Sequence, residues 1–170
     1  THTMGGGMNR NLAFIVVAVL ALLGLGAYFF LGQRSGSQAQ VGSGTLCTNQ
    51  PPAATGLTNE GITALRIEDL KEGSGPQAIT SNTVRVQYIG RLVDGKQFDT
   101  SCQPGRSPFE FTLGAGQVIP GWESGIVGMR VGGQRRLIIP ANLAYGERSP
   151  SPDIPPNSAL IFDVELLEIR

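Results

Sequence analysis

Trp122, the Phe98–Asp99 pair and Tyr88 are the residues whose types and setting could support chemistry, and most familiar chemistry is closed to them. The sole histidine is His2, which removes histidine-activated nucleophiles and most zinc sites. The two cysteines, Cys47 and Cys102, form no CxxC pair. GAGQVIPG (114–121) has neither the GxGxxG spacing of a dinucleotide site nor the GK[ST] of a phosphate loop. Asp94, Asp99 and Glu110 lie in one stretch, but hydrolysis by paired carboxylates needs a set separation, and solvated surface groups explain them as well. No metal and no cofactor is expected. An enzyme built from these residues works without a nucleophile or a general base of the usual kind. What remains is an aromatic set: Tyr88, Phe98, Phe109, Trp122, Tyr145 and Phe162. Taken singly, ordinary packing accounts for each. Trp122, the only tryptophan, follows Pro120-Gly121 and opens a segment with glycines at 125 and 128, a poor setting for a helix that only packs.

The elements that must position this set read as strands. Val84, Val86 and Tyr88 alternate with Arg85 and Gln87, the period-two mark of a half-buried strand. Asp94-Gly95 then supplies a hairpin turn before Phe98. PFEFTLG puts Phe109, Phe111 and Leu113 on one face, and QRRLIIP does the same for Leu137 and Ile139. In ALIFDVELLEI, Leu160, Phe162, Val164 and Leu166 alternate with Asp163 and Glu165, and TALRIEDL reads as an earlier strand. The predicted class is α+β: a curved antiparallel sheet of about five strands, one face buried, wrapped around one short helix near 121–128. The aromatic set then gathers at strand ends and on that helix.

Composition divides the chain. Lysine plus arginine and aspartate plus glutamate number 13 each, so no bulk charge draws it to nucleic acid. No acid precedes Glu60, and the first 59 residues carry only Arg10 and Arg34. Residues 1–11 form a short N-terminal tail, in which THTMGGGM reads as a misassigned start. Residues 12–31 (LAFIVVAVLALLGLGAYFFL) hold no charge, and as a helix would be about 30 Å long, enough to span a bilayer. They are expected to be a transmembrane anchor. A cleaved signal peptide is the competing reading, although its apolar region normally runs about 7–15 residues. Either reading takes the remainder out of the cytoplasm, as a single-pass protein of the cell membrane if the anchor is retained. Residues 32–60, rich in Gly, Ser, Thr, Gln, Asn and Pro, read as a flexible tether, and 61–170 as the folded domain. Outside the cytoplasm Cys47 and Cys102 either form a disulfide that pins the tether to the domain or stay as two thiols.

Four segments, VRVQYIGRLVDGKQFDTS, PFEFTLGAGQVIPGWESGIVGMRVGG, LIIPANLAYGE and IPPNSALIFDVELLEI, resemble the FKBP-type peptidyl-prolyl cis/trans isomerases in order and spacing, over about 61–170. The resemblance implies an FKBP-like sheet around a short helix and a site that twists X-Pro bonds; together with the expected anchor at 12–31, its substrates are expected to be proteins folding outside the cytoplasm. It implies Trp122 as the floor under a proline ring, with Tyr88, Phe98, Val118, Ile119 and Phe162 as walls and Phe109 beside them. Tyr145 would offer its hydroxyl at the rim, the Ile119 N–H would bind a substrate carbonyl, and Asp99 would be the polar wall group, paired with Arg106. Proline-containing polypeptides are the implied partners, with macrolides as inhibitors of the same pocket. The loop TSCQPGRSP, with Cys102, and GERSPSPDIPP, with Asp153, depart from the family pattern beside the pocket. A module that binds proline-containing partners without turnover is the alternative.

Overall fold

The computed structural model describes residues 44–170. Its elements run β1 (Arg66–Lys71), β2 (Thr83–Leu92), β3 (Gln97–Thr100), β4 (Phe109–Thr112), α1 (Pro120–Ile126), β5 (Gln134–Ile139), a 3-10 turn (Ala141–Leu143) and β6 (Leu160–Ile169). Every strand pairing is antiparallel, in the spatial order β1-β5-β6-β2-β3. The strands number six rather than about five. The ten-residue β2 is long enough to pair two four-residue strands along one edge, β4 over Thr83–Val86 and β3 over Ile89–Arg91. The Asp94-Gly95 turn forms as expected, with Gly95 at φ 88° and its N–H donating to Leu92 O.

Helix α1 begins on Pro120, whose fixed φ and missing N–H suit the first helical position. It runs for seven residues and ends where Gly128 takes φ 87°. Its glycines answer the oddity of the segment. A Cβ on Gly121 would run into Ile139, and one on Gly125 would lie 2.6 Å from Leu137 Cδ2. Bare backbone therefore lets the helix approach β5 closely and carries Trp122 under the sheet. Trp122 and Ile126 join Val84, Val86, Phe111, Leu137, Phe162 and Val164 in one core on this concave face.

The other face departs from the sequence pattern. Asp163 and Glu165, the polar alternates of β6, are 0% and 3% exposed. The reason is the chain preceding β1. Residues 44–57 have no regular secondary structure, yet they lie as a strap over this face. Leu46 is fully buried, and Ala54 and Leu57 pack on a second cluster of Ile62, Ile138, Ala159 and Ile161. Thr45 N–H and Leu46 N–H donate to the Glu165 carboxylate at 3.0 and 2.7 Å. Asp163 accepts from Arg91 Nη1 at 2.7 Å and from Arg136 Nε at 2.7 Å, and the two arginines reach on to Gln50 Oε1 and Pro52 O. Buried charge is tolerated only when so fully paired. Cys47 and Cys102 are joined as a disulfide, with Cα atoms 5.2 Å apart. The tether expected over 32–60 is thus held on the domain from residue 44, while its portion 32–43, like the anchor expected at 12–31, lies outside the described residues. No helix among the described residues is long and apolar enough to cross a membrane.

Candidate active site

A cavity of about 280 Å³ opens between α1 and the concave face of the sheet. Tyr88 reaches it from β2, Phe98 and Asp99 from β3, Phe109 from β4 and Phe162 from β6. Val118 and Ile119 come from the approach to α1, Trp122 from its first turn, and Tyr145 from the segment after the 3-10 turn. All nine site residues singled out in the sequence line this one space.

Its base is aromatic. Trp122, 4% exposed, meets Phe162 edge-on at 5.1 Å between ring centroids and Tyr88 at 5.4 Å, with Phe109 at 6.1 Å. Phe98 stands edge-on to Phe162 at 5.5 Å. Edge-to-face contacts of this kind stabilise rings beyond simple area burial and keep each in one orientation. Gly90 of β2 makes room for this wall. A Cβ there would fall 2.7 Å from Phe98 Cζ and 2.9 Å from Phe162 Cε1.

Polar groups sit at the edge of this apolar surface. Tyr88 OH donates to Asp99 Oδ2 at 2.5 Å, and Arg106 Nη1 donates to Asp99 Oδ1 at 2.5 Å. Thr100 N–H adds a bond to the same oxygen at 2.8 Å. Burial raises the Asp99 pKa, but the Tyr88 hydroxyl, the Arg106 guanidinium and the Thr100 N–H outweigh it and hold the carboxyl below its ordinary value. Burial first, then the bond to Asp99 and its charge, push the Tyr88 phenol far above the usual tyrosine value. Tyr145, raised by burial and by the charge of Asp99, keeps its proton and can donate it in a hydrogen bond. Ile119 N–H meets no backbone acceptor among the described residues.

Two supporting residues carry little signal in the sequence. Gln117 lines the cavity and accepts from Thr112 N–H at 2.8 Å. Glu123 accepts from Gly114 and Gly116 N–H at 2.5 and 3.0 Å, fixing the turn that leads into α1. An acid in the first helical turn was the one clue to Glu123. Beside the main cavity lies a second depression, bounded by Phe98, Asp99, Tyr145, Pro150, Ser151, Asp153 and Ile154. Asp153 accepts from Lys96 Nζ at 2.9 Å across its outer edge, so the loop after Tyr145 borders the site as the sequence led one to expect.

The chain is similar to known proteins. The chain is 51% identical over 122 residues to "FK506-binding protein 4" of Neurospora crassa, covering 72% of this chain and 25% of that protein. It is 54% identical over 109 residues to the protein of the same name in Aspergillus fumigatus, covering 64% of this chain and 22% of that one. It thus spans about a quarter of the length of these relatives. Among solved structures, FkpA from Escherichia coli superposes with a TM-score of 0.57 at 45% identity, over 64% of this chain and 49% of that one. AtFKBP13 gives a TM-score of 0.58 at 39% identity, over 62% of this chain and 93% of that one. Residues 75–167 match the family model described as FKBP-type peptidyl-prolyl cis-trans isomerase. With that match, a sheet wrapped around a short helix and an aromatic cavity between them, the chain belongs to the FKBP-type peptidyl-prolyl cis-trans isomerase family.

Proposed function

We propose that this protein isomerises X-Pro peptide bonds of polypeptides, and that it does so outside the cytoplasm, held to a membrane by residues 12–31. The observation that carries the first part is the cavity itself: an aromatic base on Trp122 with hydrogen-bonding groups confined to its edge. The barrier to peptide rotation, about 18–20 kcal/mol, comes from amide resonance. The twisted transition state has lost that resonance and its carbonyl is less polar. An apolar cavity therefore penalises the planar, well-solvated amide more than the twisted one. Trp122 and its neighbours hold the pyrrolidine ring. The Ile119 N–H and the Tyr145 hydroxyl fix the carbonyls on either side while the bond turns, with the Asp99 carboxylate as the polar part of the wall beside them. No proton needs a lasting acceptor. Macrolides of the FK506 type, which the names of the relatives record as ligands of those proteins, would compete for the same cavity.

Support for the location comes from the uncharged run 12–31 and from the Cys47–Cys102 disulfide, a bond that persists in oxidising compartments. The activity is tested by following cis-to-trans conversion of a short X-Pro peptide with the full chain in detergent micelles. Uncatalysed conversion takes about 10–100 s, so acceleration is readily seen. Acceleration that Phe98→Ala lowers supports the enzyme. Peptide binding without acceleration, by folded protein, would favour a module that only holds proline-containing partners. For the location, protease should reach the domain in intact spheroplasts, and protection there would exclude an extracytoplasmic site.

A further inference from the structure

Arg106 depends on a loop that has little else to hold it. Residues 101–108 link β3 to β4 without regular structure, and 103–107 are exposed, with no side chain in either apolar cluster. Inside the loop, Arg106 N–H donates to Gln103 O at 3.1 Å and Cys102 N–H to Thr100 Oγ1 at 3.1 Å. Arg106 is 46% exposed along its side chain, and an arginine so placed loses much rotamer freedom when held to one partner. Yet it meets Asp99 squarely and also donates to Thr100 O at 2.8 Å.

The loop is tied at Cys102 to Cys47, and Cys47 is no free end. The residue before it, Leu46, is fully buried. Glu165 of β6 accepts from Thr45 N–H, the Thr45 hydroxyl and Leu46 N–H, and Gln134 Nε2 donates to that same hydroxyl at 2.9 Å. A continuous path of bonds therefore runs from the back of the sheet, through the strap and the disulfide, into the loop that presents Arg106. We propose that the Cys47–Cys102 disulfide is a positioning element of the isomerase site, which holds the 101–108 loop so that Arg106 meets Asp99. Groups held in place before substrate arrives lose less freedom on binding it. The charged or titratable groups facing Asp99 are Tyr88 from β2, Arg106 from the loop and Tyr145 from beyond β5, and only Arg106 hangs on the disulfide.

This inference rests on the isomerase reading, and its test includes a readout that does not. Wild type, Cys47→Ser/Cys102→Ser, Arg106→Leu and the combined variant are compared as full chains. Sucrose in the buffer keeps the cysteine variants folded, and circular dichroism checks that they are. Opening the disulfide is expected to lower kcat/KM for an X-Pro peptide about fivefold, the scale of one charge-assisted bond near the surface. Arg106→Leu should do the same, and the combined variant should lose no more than either alone. Carboxyl carbon NMR should show the Asp99 midpoint moving upward when the disulfide is opened and when Arg106 is removed. Losses that multiply in the combined variant, or an Asp99 midpoint and kcat/KM indifferent to the disulfide, would overturn the positioning role. A wild-type chain without turnover would sink the isomerase reading instead, and the Asp99 midpoint would still decide this one.

Discussion

Phe98 and Trp122 play different physical parts in the cavity. Phe98 is half-buried at its edge, whereas Trp122 is 4% exposed and braced by four other rings. Phe98→Ala should therefore lower kcat/KM by about tenfold, or about 1.4 kcal/mol of transition-state contact, with little change in melting temperature. Trp122→Ala should cost activity and also about 3–5 kcal/mol of stability, seen in urea unfolding. Tyr88 gives a pH signature. Its folded pKa is raised, so below the unfolded value of about 10 both states keep the proton and its stabilisation is complete. As pH rises above about 10 the unfolded chain releases the proton and the folded one retains it, so stability falls. Ultraviolet titration should show Tyr88 and Tyr145 both ionising late, Tyr88 the later of the two, and Tyr88→Phe should flatten the alkaline loss of stability. Tyrosine and aspartate were legible as candidates from their types. The family resemblance placed Asp99 within reach of Tyr88, and the two meet at 2.5 Å; residue types alone do not pair them, because pairing across two strands depends on register.

Among the elements, α1 is the one whose sequence argues against it. Seven residues with two glycines form no stable helix alone, and the segment holds only because it packs on β5. Gly125→Ala tests this. Helix propensity would improve, but the new methyl would meet Leu137, so a net destabilisation of about 1–3 kcal/mol is expected in urea unfolding. A gain in stability would mean that Leu137 can swing aside. The strands were easier to read, since alternation is a local property of the chain. In the N-terminal half of β2 the pattern survives, with Val84 and Val86 buried and Arg85 and Gln87 partly exposed. Beyond Tyr88 every residue of β2 is buried, and the strap reaches the second face there through the Arg91–Gln50 bond.

For the molecule as a whole, the strap and its disulfide act on stability beyond the site. The cross-link closes a separation of 55 residues, and in the chain-entropy account a loop of that length stabilises by about 4 kcal/mol. Cys47→Ser/Cys102→Ser should lower the urea midpoint accordingly. A change well under 1 kcal/mol would mean that the strap docks equally well without the bond. Asp163→Asn should be as damaging, about 3–5 kcal/mol, because it leaves Arg91 and Arg136 beneath the strap without their counter-charge.

By itself the sequence determined the strand-rich domain, the place of its short helix and, with the family resemblance it carries, nine of the ten residues that line the cavity. Period-two alternation is written locally, and a tryptophan among glycines is hard to explain by packing alone. Only the tertiary structure decided that residues 44–57 lie against the domain. Residues 44–57 are polar and carry no apolar repeat, so composition assigned them to a tether. They are held by Leu46, by carboxylates and arginines of distant strands and by one covalent bond. The same distance in sequence hid the fate of Asp163 and Glu165. An alternating strand shows which side chains share a face, but not what will cover that face once the chain returns.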